Sequence, residues 1–187
     1  MSLSPVKSEI LGAMLLLDKP ERAVHIAKEV GIAFPSVMMH IIGLTRMGYI
    51  ISPEKGLYIL NQKGKKALGI PEINNEEAKA ILSDIPQDKA FHFYADLGKP
   101  LGLEARSLQD FCDKLSTVTS DSITFHLNRG DFQSWFSGLG DMELAKKVAL
   151  LEESKLVGDQ LRKRFQDIIE KRCIALSNVA GHATSVG

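Results

Sequence analysis

The side chains best suited to chemistry lie in the second half of the sequence: His92 and His126, each directly after a phenylalanine, with Asp96, Arg129 and Asp131 nearby. A histidine held by a carboxylate can move a proton, and histidines grouped with carboxylates can hold a metal. Neither pattern is complete here. A metal site wants three or four ligands, which Phe125-His126-x-x-Arg129 does not supply, and no nucleophile stands beside a base. The sequence therefore predicts no enzyme, no catalytic residue, no metal and no cofactor. His126 reads as a hydrogen-bonded structural histidine and Asp131 as a helix cap. An aromatic pocket for a small molecule could still form from Phe91, Phe93, Phe125, His126 and Trp135. Gly98-Lys99-Pro100-Leu101-Gly102 lacks the full phosphate-loop pattern. Cys112 and Cys173 fall outside any CxxC spacing and suggest neither a disulfide framework nor a zinc site, which fits a reducing, cytoplasmic setting.

The first part of the chain offers a different chemistry, that of holding a polyanion. Residues 1–70 carry 9 Lys and Arg against 5 Asp and Glu, whereas residues 71–187 carry 14 against 18, so a net charge of zero hides a basic front and an acidic back. At 44% hydrophobic and 25% charged residues over 187 positions, the chain suits one large or two small globular domains. Its longest apolar run, Ile10 to Leu17, falls short of the roughly 20 residues needed to cross a bilayer. The opening Met1-Ser2-Leu3-Ser4-Pro5 has no basic region of the secretory kind, so no membrane association is expected.

The positioning elements follow from periodicity. Pro5 near a first helical turn and the apolar residues Ile10, Leu11, Met14, Leu15 and Leu17 predict a helix ended by Asp18-Lys19-Pro20. Ala23 to Val30 form a short helix closed by Gly31, and Val37, Ile41, Leu44 and Met47 mark the buried stripe of the next. Tyr49-Ile50-Ile51-Ser52 and Leu57-Tyr58-Ile59-Leu60, separated by Pro53-Glu54-Lys55-Gly56, predict a hairpin. A short basic helix follows and stops at Pro71. Beyond it Ser107, Asp131 and Asp141 can cap helices. From Met142 to about Leu176 the chain reads as helix-like, with Gly158 as a point of kink or break.

With those residues in place, positions 5–70 resemble the winged helix-turn-helix domain of small MarR-like and PadR-like regulators of archaea and bacteria. The resemblance rests on Ile26-Ala27-x-x-Val30-Gly31-Ile32, Val37-x-x-x-Ile41-x-x-Leu44-x-x-Met47-Gly48-Tyr49-Ile50 and Leu60-x-x-Lys63-Gly64-x-x-Ala67-Leu68. Residues 90 to about 150 resemble a second, uncharacterised prokaryotic domain through Phe91-His92-Phe93-Tyr94, Arg129-Gly130-Asp131-Phe132-x-x-Trp135 and Leu139-Gly140-Asp141, and that likeness implies no activity. The expected fold is mainly α with a small β-hairpin wing. A winged helix-turn-helix over 1–70 is followed by a linker or connecting helix over 71–89, an α-helical domain over 90–178 ending in a long helix, and a disordered tail over 179–187.

The resemblance implies a transcriptional regulator that binds double-stranded DNA as a homodimer, with a C-terminal sensing or dimerising domain. The second helix of such a domain enters the major groove and the wing meets the backbone. The residues this implicates are Lys28, Phe34, Ser36, Met39, His40, Arg46, Lys55, Lys63 and Lys65. Direct reading would be weak, since the helix carries no Arg for guanine and no Asn or Gln for adenine. The alternative is an adaptor that docks a protein partner through Met38, Met39 and Ile42 and never touches DNA.

Overall fold

The computed structural model describes residues 3–181, in two compact units that divide between Glu72 and Ile73. The architecture is mainly helical, with small antiparallel sheets and a long C-terminal helix. Among the described residues no single helix is long and apolar enough to cross a membrane.

The first unit opens with α1 (Pro5–Leu17), which begins at a proline and ends where Asp18 turns left-handed. Strand β1 (Glu21–Arg22) leads into α2 (Ala23–Val30), and Gly31, at φ 74°, closes that helix by donating its N–H to the Ala27 carbonyl over 2.9 Å. Helix α3 (Phe34–Arg46) leaves at 111° to α2. Its residues Val37, Ile41 and Leu44 are fully buried against Ile10, Leu11 and Ile26 in one core. Strands β2 (Ile50–Ile51) and β3 (Leu57–Leu60) form the expected hairpin. The sheet nevertheless has three strands in the order β1-β3-β2, because Glu21 and Arg22 pair with Tyr58 and Leu57. A two-residue strand has no periodicity to read, which is why sequence reasoning passed over β1.

Helix α4 (Gln62–Ala67) is capped by Asn61, whose side chain accepts from the Gly64 N–H at 2.9 Å. Gly64 must be glycine. A Cβ there would lie 2.4 Å from both the Tyr49 carbonyl oxygen and a Leu60 methyl.

The second unit starts inside the stretch expected as a linker. There α5 (Asn75–Leu82) is fixed by a reciprocal capping box between Asn74 and Glu77 and packs Ala78 and Ile81 into the unit's core. The domain expected to be α-helical holds as well an antiparallel hairpin, β4 (Phe91–Asp96) with β5 (Lys99–Ala105). The period-two alternation of buried Phe91, exposed His92 and buried Phe93 is a strand pattern. Gly98 and Gly102 take positive φ, and the register shifts near Tyr94 absorb what looked like loop composition.

Helices α6 (Leu108–Lys114), α7 (Ser120–Arg129), α8 (Asp131–Gly138), α9 (Met142–Glu153) and α10 (Gly158–Val179) complete the unit. The long helical run is thus two helices. The break falls over Ser154–Val157, with Lys155 at φ 57°, just ahead of Gly158. Alone, α10 extends about 33 Å at 1.5 Å per residue. Its apolar stripe of Leu161, Phe165, Ile168, Ile169 and Leu176 is buried inside the unit, where Phe165 meets Phe132 at 4.7 Å and Phe111 at 6.2 Å between ring centroids. Of the tail expected to be disordered, 182–187 lies outside the described residues, while Val179 still belongs to α10.

Candidate functional sites of the two units

In the first unit, α3 divides cleanly into two faces. Val37, Ile41 and Leu44 turn inward, while Phe34, Met39, Ile42 and Arg46 are exposed, Met39 by 72%. Ser36, Met38 and His40 are half-buried beside them. Lys28 in the last turn of α2 and Lys55 in the β2–β3 turn are exposed. Lys28, Arg46 and Lys55 enter no ion pair or hydrogen bond among the described residues.

The lysines after the hairpin differ. Lys63 donates to the Met47 carbonyl at 2.7 Å, completing the C-terminal end of α3, and stands 5.2 Å over the Tyr49 ring. Lys65 is half-buried and partnered, and Lys66 pairs with Glu72 at 3.1 Å. Of the five basic residues expected to meet phosphate, then, Lys28, Arg46 and Lys55 are open, while Lys63 and Lys65 are engaged.

In the second unit the residues that could do chemistry are brought together, but as a closed set of bonds. Gly130, at φ 73°, ends α7 and begins α8 at the same residue. That corner turns Asp131 back onto the preceding helix. Asp131 is not the cap it was expected to be: its carboxylate takes the His126 Nδ1–H at 2.8 Å and the Arg129 Nε–H at 3.1 Å. The other ring nitrogen of His126, Nε2, accepts the Tyr94 backbone N–H at 2.8 Å. Because Nε2 must accept, the ring is neutral with its proton on Nδ1. Burial holds its pKa below the ordinary histidine value and outweighs the attraction of Asp131. Neither nitrogen is left to move a proton for a substrate, so His126 joins α7 to β4.

These residues form one side of a surface cavity of about 230 Å³, lined by Phe91, Tyr94, Leu97, Phe125, His126, Arg129 and Asp131, with His92 and Gly98. Of the expected pocket residues, Phe91, Phe125 and His126 line it. Phe93 is wholly buried in the core. Trp135 packs 5.4 Å from Phe111 and donates its indole N–H to the Lys89 carbonyl at 3.0 Å, away from the cavity. Tyr94 and Leu97 were missed. The strand alternation after Phe93 was the signal for Tyr94, whereas nothing in the sequence marks a leucine in a hairpin turn as a cavity wall.

The strongest polar cluster was also missed. Arg172 grips Asp141 with two bonds of 2.8 and 2.9 Å and reaches Glu143 at 3.0 Å, and Glu143 in turn holds Lys147 at 3.0 Å. All four are buried. This chain of alternating charge ties α9 to α10, and Asp141 additionally caps α9 by accepting from the Leu144 N–H. Arg172 is of a type that ordinarily faces solvent, but it sits seven residues after Phe165 and four before Leu176, on the buried stripe itself. Cys173 donates its Sγ–H to the Leu108 carbonyl at 3.8 Å, and burial pushes both thiols up, Cys173 to about 12. Neither offers a thiolate at neutral pH. Among the described residues no three His, Cys, Asp or Glu are grouped to hold a metal.

A family of unknown function (DUF5752) matches residues 72–170, just over half of the 187-residue chain. No curated protein and no solved structure matches it.

Proposed function

This chain belongs to DUF5752, a family of unknown function that brings no activity with it, so we propose one from the chain's own residues. The first unit is a winged helix-turn-helix that binds double-stranded DNA in a transcriptional regulator of the cytoplasm. The second unit senses a ligand or partner, and the chain works as a homodimer.

The observation that carries this reading is the setting of α3. It leaves α2 at 111° after a three-residue turn closed by Gly31, within the range of about 90–120° for such helix pairs. It presents an outer face that nothing in its unit covers, and a three-stranded sheet follows with Lys55 in the turn of its outer hairpin. Lys28, Arg46 and Lys55 are unpaired and can neutralise phosphates. The outer face holds Ser36 and His40 as the hydrogen-bonding groups for base edges, with Phe34 and Met39 for apolar contact with thymine methyls. Sequence preference then comes mostly from DNA shape and half-site spacing. In the homodimer, the buried stripe of α10 cannot serve as the seam, which leaves the exposed Ile174 and Val179 as that helix's apolar contribution.

The test is binding of the full chain to random duplex DNA across a salt series. If Lys28, Arg46 and Lys55 of one copy all reach phosphate, the logarithm of affinity falls with the logarithm of salt at a slope of about −3 per copy. Replacing Lys28, Arg46 and Lys55 with alanine flattens it. No binding at low salt refutes the reading.

The exposed Met39 and Ile42 favour a second reading, an adaptor whose α3 docks a protein. It predicts that Met39→Glu abolishes a protein complex while DNA binding is absent from the start.

A further inference from the structure

We infer that the cavity of the second unit binds a small α-amino acid with an apolar side chain, held as its zwitterion. Three observations lead there. The first is charge. Arg129 and Asp131 stand side by side at the cavity, and each spends only part of its bonding capacity within the fold. Arg129 donates through Nε and lies 5.0 Å over the Phe125 ring, which leaves its two terminal nitrogens without partners among the described residues. Asp131 accepts both of its bonds at Oδ2 and keeps Oδ1. A simple carboxylate drawn to Arg129 would meet Asp131, and a simple amine drawn to Asp131 would meet Arg129. A ligand carrying both charges satisfies both groups without leaving a net charge in an apolar pocket.

The second observation is order. Asp131 is fixed by His126, and Arg129 by Phe125 and Asp131, so the pair is set before a ligand arrives and little side-chain freedom is lost on binding. The third is size and lining. At about 230 Å³ the cavity lies below the roughly 300–1,000 Å³ of drug-sized pockets. Besides His92, Gly98 and His126, its remaining walls are Phe91, Tyr94, Phe125 and Leu97, a leucine left 73% exposed in the β4–β5 turn. An aliphatic or aromatic side chain would cover that surface. Since both nitrogens of His126 are committed, the site binds and does not react.

This deepens the sensing role proposed for the second unit and rests on it. The test is calorimetric titration of the full chain, without DNA, by L-leucine and L-phenylalanine. The comparison ligands are 4-methylpentanoate and 3-phenylpropionate, which lack the ammonium, and 3-methylbutylamine and 2-phenylethylamine, which lack the carboxylate. At least one amino acid binds, its two truncated relatives bind about ten-fold more weakly or worse, and Arg129→Gln lowers the affinity by a similar factor. Leu97→Glu, a change in an exposed turn that leaves the core untouched, weakens binding as well. The inference is overturned if neither amino acid binds at millimolar concentration, if acid or amine binds as tightly as the zwitterion, or if both variants bind like the parent. Because DNA is absent from the titration, failure here leaves the DNA reading standing, and failure of the salt series leaves this one standing.

Discussion

The two units of this chain place their charges in opposite ways. In the first, Lys28, Arg46 and Lys55 are exposed and unpaired, and the apolar Phe34, Met39 and Ile42 share the surface with them. In the second, Asp141, Arg172, Glu143 and Lys147 are buried and bonded to one another, and His126 has both nitrogens occupied. A saturated buried group contributes to the fold and has nothing left for a partner. An open surface group contributes little to the fold and is free to bind. The whole-chain balance, 23 against 23, does not show this difference; what shows it is which bonds are already made.

That contrast can be broken by mutation. The largest effect is expected at Arg172. Arg172→Ala leaves Asp141 buried without its ion partner and Glu143 with Lys147 alone, and costs about 3–5 kcal/mol in urea denaturation, as for other broken buried pairs. A loss below 1 kcal/mol would mean that the cluster is hydrated and the contrast false. Next comes Gly64→Ala, where the clash with the Tyr49 carbonyl costs about 1–3 kcal/mol and lowers the thermal midpoint.

His126→Phe keeps an aromatic ring but orphans the Tyr94 N–H and removes one of the two donors to Asp131, for a loss of about 1–3 kcal/mol. A smaller effect follows from pH. With the folded pKa of His126 held below its unfolded value, its contribution is complete above about pH 6.5 and is lost as pH falls from there through the folded value. Stability curves of the parent and His126→Phe should therefore converge on acidification, and parallel curves would show that His126 is not the titrating group. The smallest effect sharpens the contrast from the other side: alanine at Lys28, Arg46 and Lys55 together changes stability by no more than about 0.5 kcal/mol per site while reducing affinity for a polyanion.

Much of the fold could be read from particular residues. Pro5, Gly31 and the hairpin turn fixed the order of elements in the first unit, and Ser107 and Asp141 were read correctly as helix caps. Failures came where local composition and burial disagree. Gly98, Pro100 and Gly102 gave no strand signal because Gly and Pro are depleted in strands, although Pro100 pairs with Tyr94 across the β4–β5 hairpin. Arg172 looked solvated because its type outweighed its place on an apolar stripe. Of the candidate sites, the α3 surface was legible from spacing, but the engagement of Lys63 by the Met47 carbonyl was not, since that contact spans 16 residues. The cavity was half legible. Its aromatic residues were visible, whereas the sorting of Phe93 and Trp135 away from it depends on packing.

The corner at Gly130 also acts as a ruler. Because α7 stops and α8 starts on one residue, the interval from His126 to Asp131 contains no slack. One added residue would turn every later side chain by about 100° around the axis of α8 and carry the Asp131 carboxylate off the imidazole. The string His126-x-x-Arg129-Gly130-Asp131 therefore works only at this length. Chains that keep it can build the same cavity, and chains in which it is lengthened or shortened have lost the pairing on which that cavity stands.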